Sequence, residues 1–129
     1  MAWTYDDTNI FARILRGEIP NATVAESDHA LAFDDITPQA PVHVLAIPKG
    51  PYVALDHFAA EASDAEIVDF HRLVARVCRE RGLSIDATVG GDGFRAIANA
   101  GAHGVQEVPH FHLHLIGGRP LGRMLAREG

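Results

Sequence analysis

Val108-Pro109-His110-Phe111-His112-Leu113-His114-Leu115-Ile116-Gly117-Gly118 decides the fold of this chain. Side chains of a strand point alternately to opposite faces, so this stretch puts His110, His112 and His114 on one side and Phe111, Leu113 and Leu115 on the other. A helix would scatter imidazoles at i, i+2 and i+4 around its cylinder. The alternation, the entrance at Pro109 and the stop at Gly117-Gly118 all read as a strand. One face suits chemistry and the other suits a core.

Each imidazole carries polar nitrogens that need partners when buried, so three on one face is a costly way to build a surface. Two chemical readings follow. His-x-His on a strand is a good zinc half-site, because same-side neighbours sit roughly 6 to 7 Å apart. His110 and His114 start roughly 13 Å apart, so one ion would need a bend or a ligand from elsewhere. The other reading is nucleophilic or acid–base catalysis, since an unperturbed imidazole pKa of about 6.5 makes both protonation states accessible near neutrality.

The chain has 129 residues, the size of one domain spanning 1–129, and 47% of them are apolar, which rules out a disordered segment. A net charge of -6 argues against non-specific nucleic-acid binding. Cys78 has no internal partner and falls in a helical apolar pattern, as a small core residue. Met1 to Asp7 lacks the basic patch and apolar run of a leader, and no stretch approaches the roughly 20 apolar residues of a membrane span. A cytoplasmic protein without membrane contact is expected.

Asp6-Asp7-Thr8-Asn9 offers N-caps to a short helix carrying Ile10, Phe11, Ile14 and Leu15, ended by Gly17 and Pro20. Thr23 to Ser27 and His29 to Ile36 read as strands joined at Ser27-Asp28, and Val42 to Lys49 as a third. Ser63-Asp64-Ala65-Glu66 is a capping box that opens a long helix running to Gly82. Its buried stripe is expected to be Ile67, Phe70, Val74, Val77 and Cys78, with Val68 and Leu73 off the stripe and free for a partner subunit. Gly93 to Asn99 reads as a strand, and the glycines of 100–107 allow a tight turn and close approach to a ligand. One ionised carboxylate of the pair Asp34-Asp35 could grip the cis-diol of a ribose; a solvated turn is the plainer account.

From Asn9 to Leu125 the chain resembles the histidine triad family. His110-Phe111-His112-Leu113-His114-Leu115-Ile116, followed by Gly117-Gly118-Arg119-Pro120-Leu121-Gly122, is similar to the signature of its bacterial nucleotide-binding branch, which are nucleoside phosphoramidases. The resemblance implies an α+β fold, an antiparallel sheet of about five strands with helices on one face, assembled as a homodimer. It implies a purine nucleoside monophosphate or phosphoramidate as ligand and no cofactor.

Residue by residue, the resemblance makes His112 the nucleophile and the bearer of a covalent nucleotidyl intermediate, and places a fourth histidine, His43, beside the triad. His114 is expected at the phosphoryl oxygens and the leaving group, with His110 and His43 orienting and relaying. Asp35 with Ile36 is expected at the ribose, Ile10 and Phe11 at the base, and Asn99, Gln106 and Glu107 at the phosphate and sugar. Val105 stands where many members carry Gly. Metal independence is expected because no Cys, Asp or Glu stands near the triad at convincing spacing. The alternatives are a nucleotide-binding regulatory module with incidental hydrolysis and a metal-dependent hydrolase.

Overall fold

Val42–Pro48 (β3) is buried along nearly its whole length, and its two faces serve two different cores. The protein is described here by a computed structural model covering residues 3–127. Met1 and Ala2, from the stretch expected to carry no leader, and the last two residues lie outside the described residues. Around β3 the strands Thr23–Glu26 (β1), Ala30–Asp34 (β2), Phe94–Ile97 (β4) and Leu113–Gly117 (β5) form one antiparallel sheet in the order β1-β2-β3-β5-β4.

One face carries small or aliphatic residues, Ala30, Ala32, Val44, Ala46 and Leu115, and packs against Asp64–Glu80 (α3). The other carries Leu31, Phe33, Leu45 and Ile47 and packs against Phe11 and Ile14 of Ile10–Leu15 (α1). The expectation of helices on one face is therefore corrected. A central strand that is apolar on both sides needs cover on both sides, and the short helix supplies the second cover.

Both caps read from the sequence are present. The Asn9 side chain accepts from the Ala12 amide at 2.9 Å, and Ser63 and Glu66 close a reciprocal capping box. The stripe of α3 differs from the expectation. Phe70, Leu73, Val77 and Cys78 are the buried residues, Leu73 being only 2% exposed, while Ile67 and Val74 are partly covered. The helix is rotated so that the 70, 73, 77 row meets the sheet, which removes Leu73 from any partner surface and leaves Val68 exposed. Leu55–Glu61 (α2) was not legible. It is too short for a periodic signal and no side chain caps it, yet Phe58 anchors it among Phe70 and Phe111.

The triad strand is shorter than its alternation implies. β5 begins at Leu113, so His110 and His112 precede it and only His114 lies within it. The β3–β5 register pairs Ala46 with Leu113, and its continuation would set Phe111 opposite Pro48, which has no amide proton. The Phe111 amide instead donates to the Tyr52 carbonyl at 2.8 Å. The faces nevertheless hold: Phe111 and Leu115 lie in the α3-side core, and the histidines face the other way. β2 and β4 also stop short, at Asp34 and Ile97, so Asp35, Ile36 and Asn99 occupy turns beyond the strand ends. Among the described residues no helix is long and apolar enough to cross a membrane.

Candidate functional site

On the α1 side of the sheet opens a cleft of about 370 Å³. Phe11, Ile14, Ile19, Phe33 and Leu45 give it an apolar end; Asp35, Asn99, Glu107, His112 and His114 give it a polar end. Ile10 and Ile36 stand at its edge, Ile36 being 93% exposed. Eight of the residues singled out from the sequence thus meet in one place. His43, His110 and Gln106 do not line it.

The three remaining residues act from behind the wall. A backbone amide can only donate and a carbonyl can only accept, so the partners of each ring nitrogen assign its proton. The Gln39 amide donates to Nδ1 of His43 at 3.1 Å, which puts the proton of the neutral His43 ring on Nε2. That Nε2 lies 2.9 Å from Nδ1 of His114 and donates to it, so the proton of His114 sits on its own Nε2. On the other side, Nδ1 of His112 donates to the His110 carbonyl at 2.8 Å, leaving an electron pair on Nε2 of His112. Two cleft-lining imidazoles therefore present opposite chemistry, a donor on His114 and a nucleophilic pair on His112.

His110 is fully buried with both nitrogens occupied. Its Nε2 donates to the Pro48 carbonyl at 2.8 Å and its Nδ1 accepts from the Tyr5 hydroxyl at 2.6 Å, which itself accepts from Asn9. Burial pushes its pKa down to about 4, so the ring is neutral at pH 7. The expected proton relay through His110 is corrected to a fixed support: it has no free nitrogen and no access to the cleft. Sequence reasoning missed Tyr5 and Gln39, because both act through contacts distant or backbone-borne.

Burial also lowers the His112 pKa, although the hydrogen bond to the His110 carbonyl and the nearby Asp35 and Glu107 carboxylates pull the other way. His114 is pushed down to about 4, first by burial and then by His112 and His43. Phe11 meets the His112 ring edge-on at 4.9 Å, so the apolar end of the cleft adjoins that imidazole directly.

Asp34 and Asp35 diverge to opposite faces of the sheet. Asp34 pairs with Arg81 at 2.9 Å on the α3 side, while Asp35 turns to the cleft, with Oδ1 accepting the Thr37 amide and Oδ2 3.4 Å from Nε2 of His43. Gln106 departs from its expected place at the phosphate. Its amide nitrogen donates to the Val53 and Val108 carbonyls and its oxygen accepts from the Gly101 amide, so it staples the 100–107 loop and has no donor left for a phosphate. Val105 lines the cleft with φ of 55°, a left-handed conformation unusual for a β-branched residue.

A potential donor set for a metal, absent from the sequence expectation, is brought together here: Asp35, His43 and His114 place one ligand atom each within 4.8 Å of one another. The residues do not fit a metal. The nitrogen of His43 that faces the cluster is the one carrying the proton, because Gln39 occupies the other. Binding an ion there would break both hydrogen bonds of that ring.

Residues 16–121 match the family model described as HIT domain. The chain belongs to the HIT family. It is 41% identical over 123 residues to the purine nucleoside phosphoramidase of Escherichia coli K12, covering 95% of this chain and 98% of that protein. It is 40% identical over 117 residues to a 14 kDa zinc-binding protein of Zea mays, covering 90% and 86%. Among solved structures it resembles a HIT family hydrolase from Clostridium thermocellum with a TM-score of 0.79 and 32% identity, over 93% of this chain and 99% of that one. The five-stranded sheet with a short and a long helix is thus a HIT fold.

Proposed function

We propose that this HIT protein is a purine nucleoside phosphoramidase that cleaves the P–N bond of nucleoside 5′-phosphoramidates through His112. The observation that carries the reading is the pairing of an Nε2 electron pair on His112 with an Nε2–H on His114 at the polar end of a cleft whose other end is apolar. The apolar end takes the purine between Ile10, Phe11 and their neighbours, and Asp35 takes the ribose hydroxyls. Asn99 and Glu107 flank the phosphoryl group.

In the first step the His112 pair attacks phosphorus and the P–N bond breaks, giving nucleotidyl-His112. His114 donates to a phosphoryl oxygen through Nε2–H. The departing amine takes its proton from solvent at the open end of the cleft, while Nδ1 of His114 stays the acceptor of the His43 bond. Water then attacks phosphorus and releases its proton to solvent, and nucleoside monophosphate and free His112 result.

The homologous phosphoramidase supports this activity class for the chain. A zinc-binding relative makes a metal-dependent hydrolase the second reading, and the protonated Nε2 of His43 weighs against it. The chain is further proposed to dimerise with a second copy through the edge strand β4 and the uncovered side of α3, where Phe94 and Val68 are 43% and 53% exposed. Steady-state turnover of adenosine 5′-phosphoramidate, with and without a chelator, tests the function. Turnover unchanged by chelation supports it; no turnover leaves a nucleotide-binding module, and loss restored by zinc establishes the metal enzyme.

A further inference from the structure

We propose that Arg119 is a positioning residue that fixes the proton arrangement of His43 and His114 through the Gln39 turn; the proposal rests on the phosphoramidase reading for its catalytic consequence. Arg119 follows the triad strand and touches neither His112 nor His114. Its guanidinium donates to the Gln39 carbonyl at 3.2 Å, and the amide of that same residue donates to Nδ1 of His43. His43 in turn donates to Nδ1 of His114. A chain of three hydrogen bonds therefore runs from an exposed arginine to a cleft-lining imidazole.

A second contact holds the same turn. Gly118 has φ of 92°, and a Cβ built there would lie 2.9 Å from the Pro41 side chain. The bend after β5 thus lies directly against the 37–41 turn, with Arg119 continuing from it. This close approach and the guanidinium contact brace the turn from one side.

The chemical need for a brace follows from what the turn prevents. Were the Gln39 amide to move away, the neutral His43 ring could carry its proton on Nδ1 and present an acceptor to His114. His114 would then have to hold its proton on Nδ1, leaving an electron pair on Nε2 in the cleft. That pair would face the phosphoryl oxygens with repulsion where a donor is needed. One change of tautomer on His43 thus reverses the sign of the contact offered by His114.

The test compares wild type, Arg119→Ala and Arg119→Lys by ¹⁵N spectroscopy of the histidine ring nitrogens and by kinetics on adenosine 5′-phosphoramidate. Arg119→Ala should show mixed tautomers at His43 and His114, with kcat reduced roughly ten- to hundredfold, the size of other effects on ring-orienting partners, and KM nearly unchanged. Lysine can still donate to the Gln39 carbonyl, so Arg119→Lys should restore much of both. Wild-type ring spectra in Arg119→Ala, a loss carried by KM alone, or altered tautomers with unchanged kcat would each overturn the proposal. If the wild type turned over no phosphoramidate, the functional reading would fail, while the ring spectra would still decide whether Arg119 sets the tautomers.

Discussion

Nδ1 of His112 lies 2.8 Å from the carbonyl oxygen of His110, two residues earlier in the same chain. The bend that breaks the triad out of the β3–β5 ladder is what brings that carbonyl within reach, since a regular strand would point it at its neighbour. The loss of His110, Phe111 and His112 from the strand thereby sets the tautomer of the imidazole at the centre of the cleft. The first histidine contributes its main chain to the second and its ring to Pro48 and Tyr5.

His110 should remain neutral in the folded protein down to about pH 4. The unfolded chain protonates the same ring near 6.5, so this group's contribution to stability is complete above that value and lost as pH falls from 6.5 toward 4. The loss should reach roughly 3 kcal/mol. Ring titration by NMR together with denaturant melts at pH 7 and 4.5 reads both quantities. Titration of His110 near 6.5 would show that its two hydrogen bonds are not maintained in solution.

Asp35→Ala should weaken ribonucleotide binding by roughly 1 to 3 kcal/mol and 2′-deoxyribonucleotide binding by less. The carboxylate also holds the Thr37 amide, and losing that turn contact penalises both sugars alike. The difference between the two ligands isolates the hydroxyl contact, measured by calorimetry. Equal losses would assign Asp35 to the turn alone.

Val105→Gly should raise stability by about 1 kcal/mol. A left-handed conformation at a β-branched residue is strained by roughly 1 to 3 kcal/mol, and the added backbone freedom of glycine in the unfolded chain offsets about 0.5 to 1 kcal/mol of the relief. Urea unfolding of the two proteins measures it. A less stable glycine variant would mean that the Val105 side chain makes contacts worth more than the strain.

The alternation of β5 and β3, the capping box at Ser63 and the apolar-faced N-terminal helix were legible because each is a local pattern whose period matches its backbone. The triad faces were legible for the same reason, and resemblance placed Asp35 and His43 beside them. What was not legible depended on distant partners. The rotation of α3 that buries Leu73 is set by the sheet beneath it, and the withdrawal of His110 from the cleft is set by Pro48 and Tyr5. Gln106 looks like a ligand-binding amide in a glycine-containing loop, and only the positions of the Val53, Val108 and Gly101 backbone groups show that both of its donors are spent and its oxygen is engaged. Gln39 was invisible because it acts through its main-chain amide.

His112→Ala removes the imidazole and leaves Phe111, Leu113 and Leu115 to hold the strand, so the variant should fold and still bind a nucleoside monophosphate. The most direct measurement is acid-sparing quench of the wild type during turnover of an adenosine phosphoramidate, followed by mass mapping of the labelled peptide. The nucleophilic role of His112 predicts one nucleotidyl group, on that residue, and a variant that loses nearly all turnover, beyond the roughly 100- to 10,000-fold that removal of a general base alone would cause. A nucleotidyl group mapped to His110 or His114, or vigorous single-turnover cleavage by His112→Ala, would contradict it.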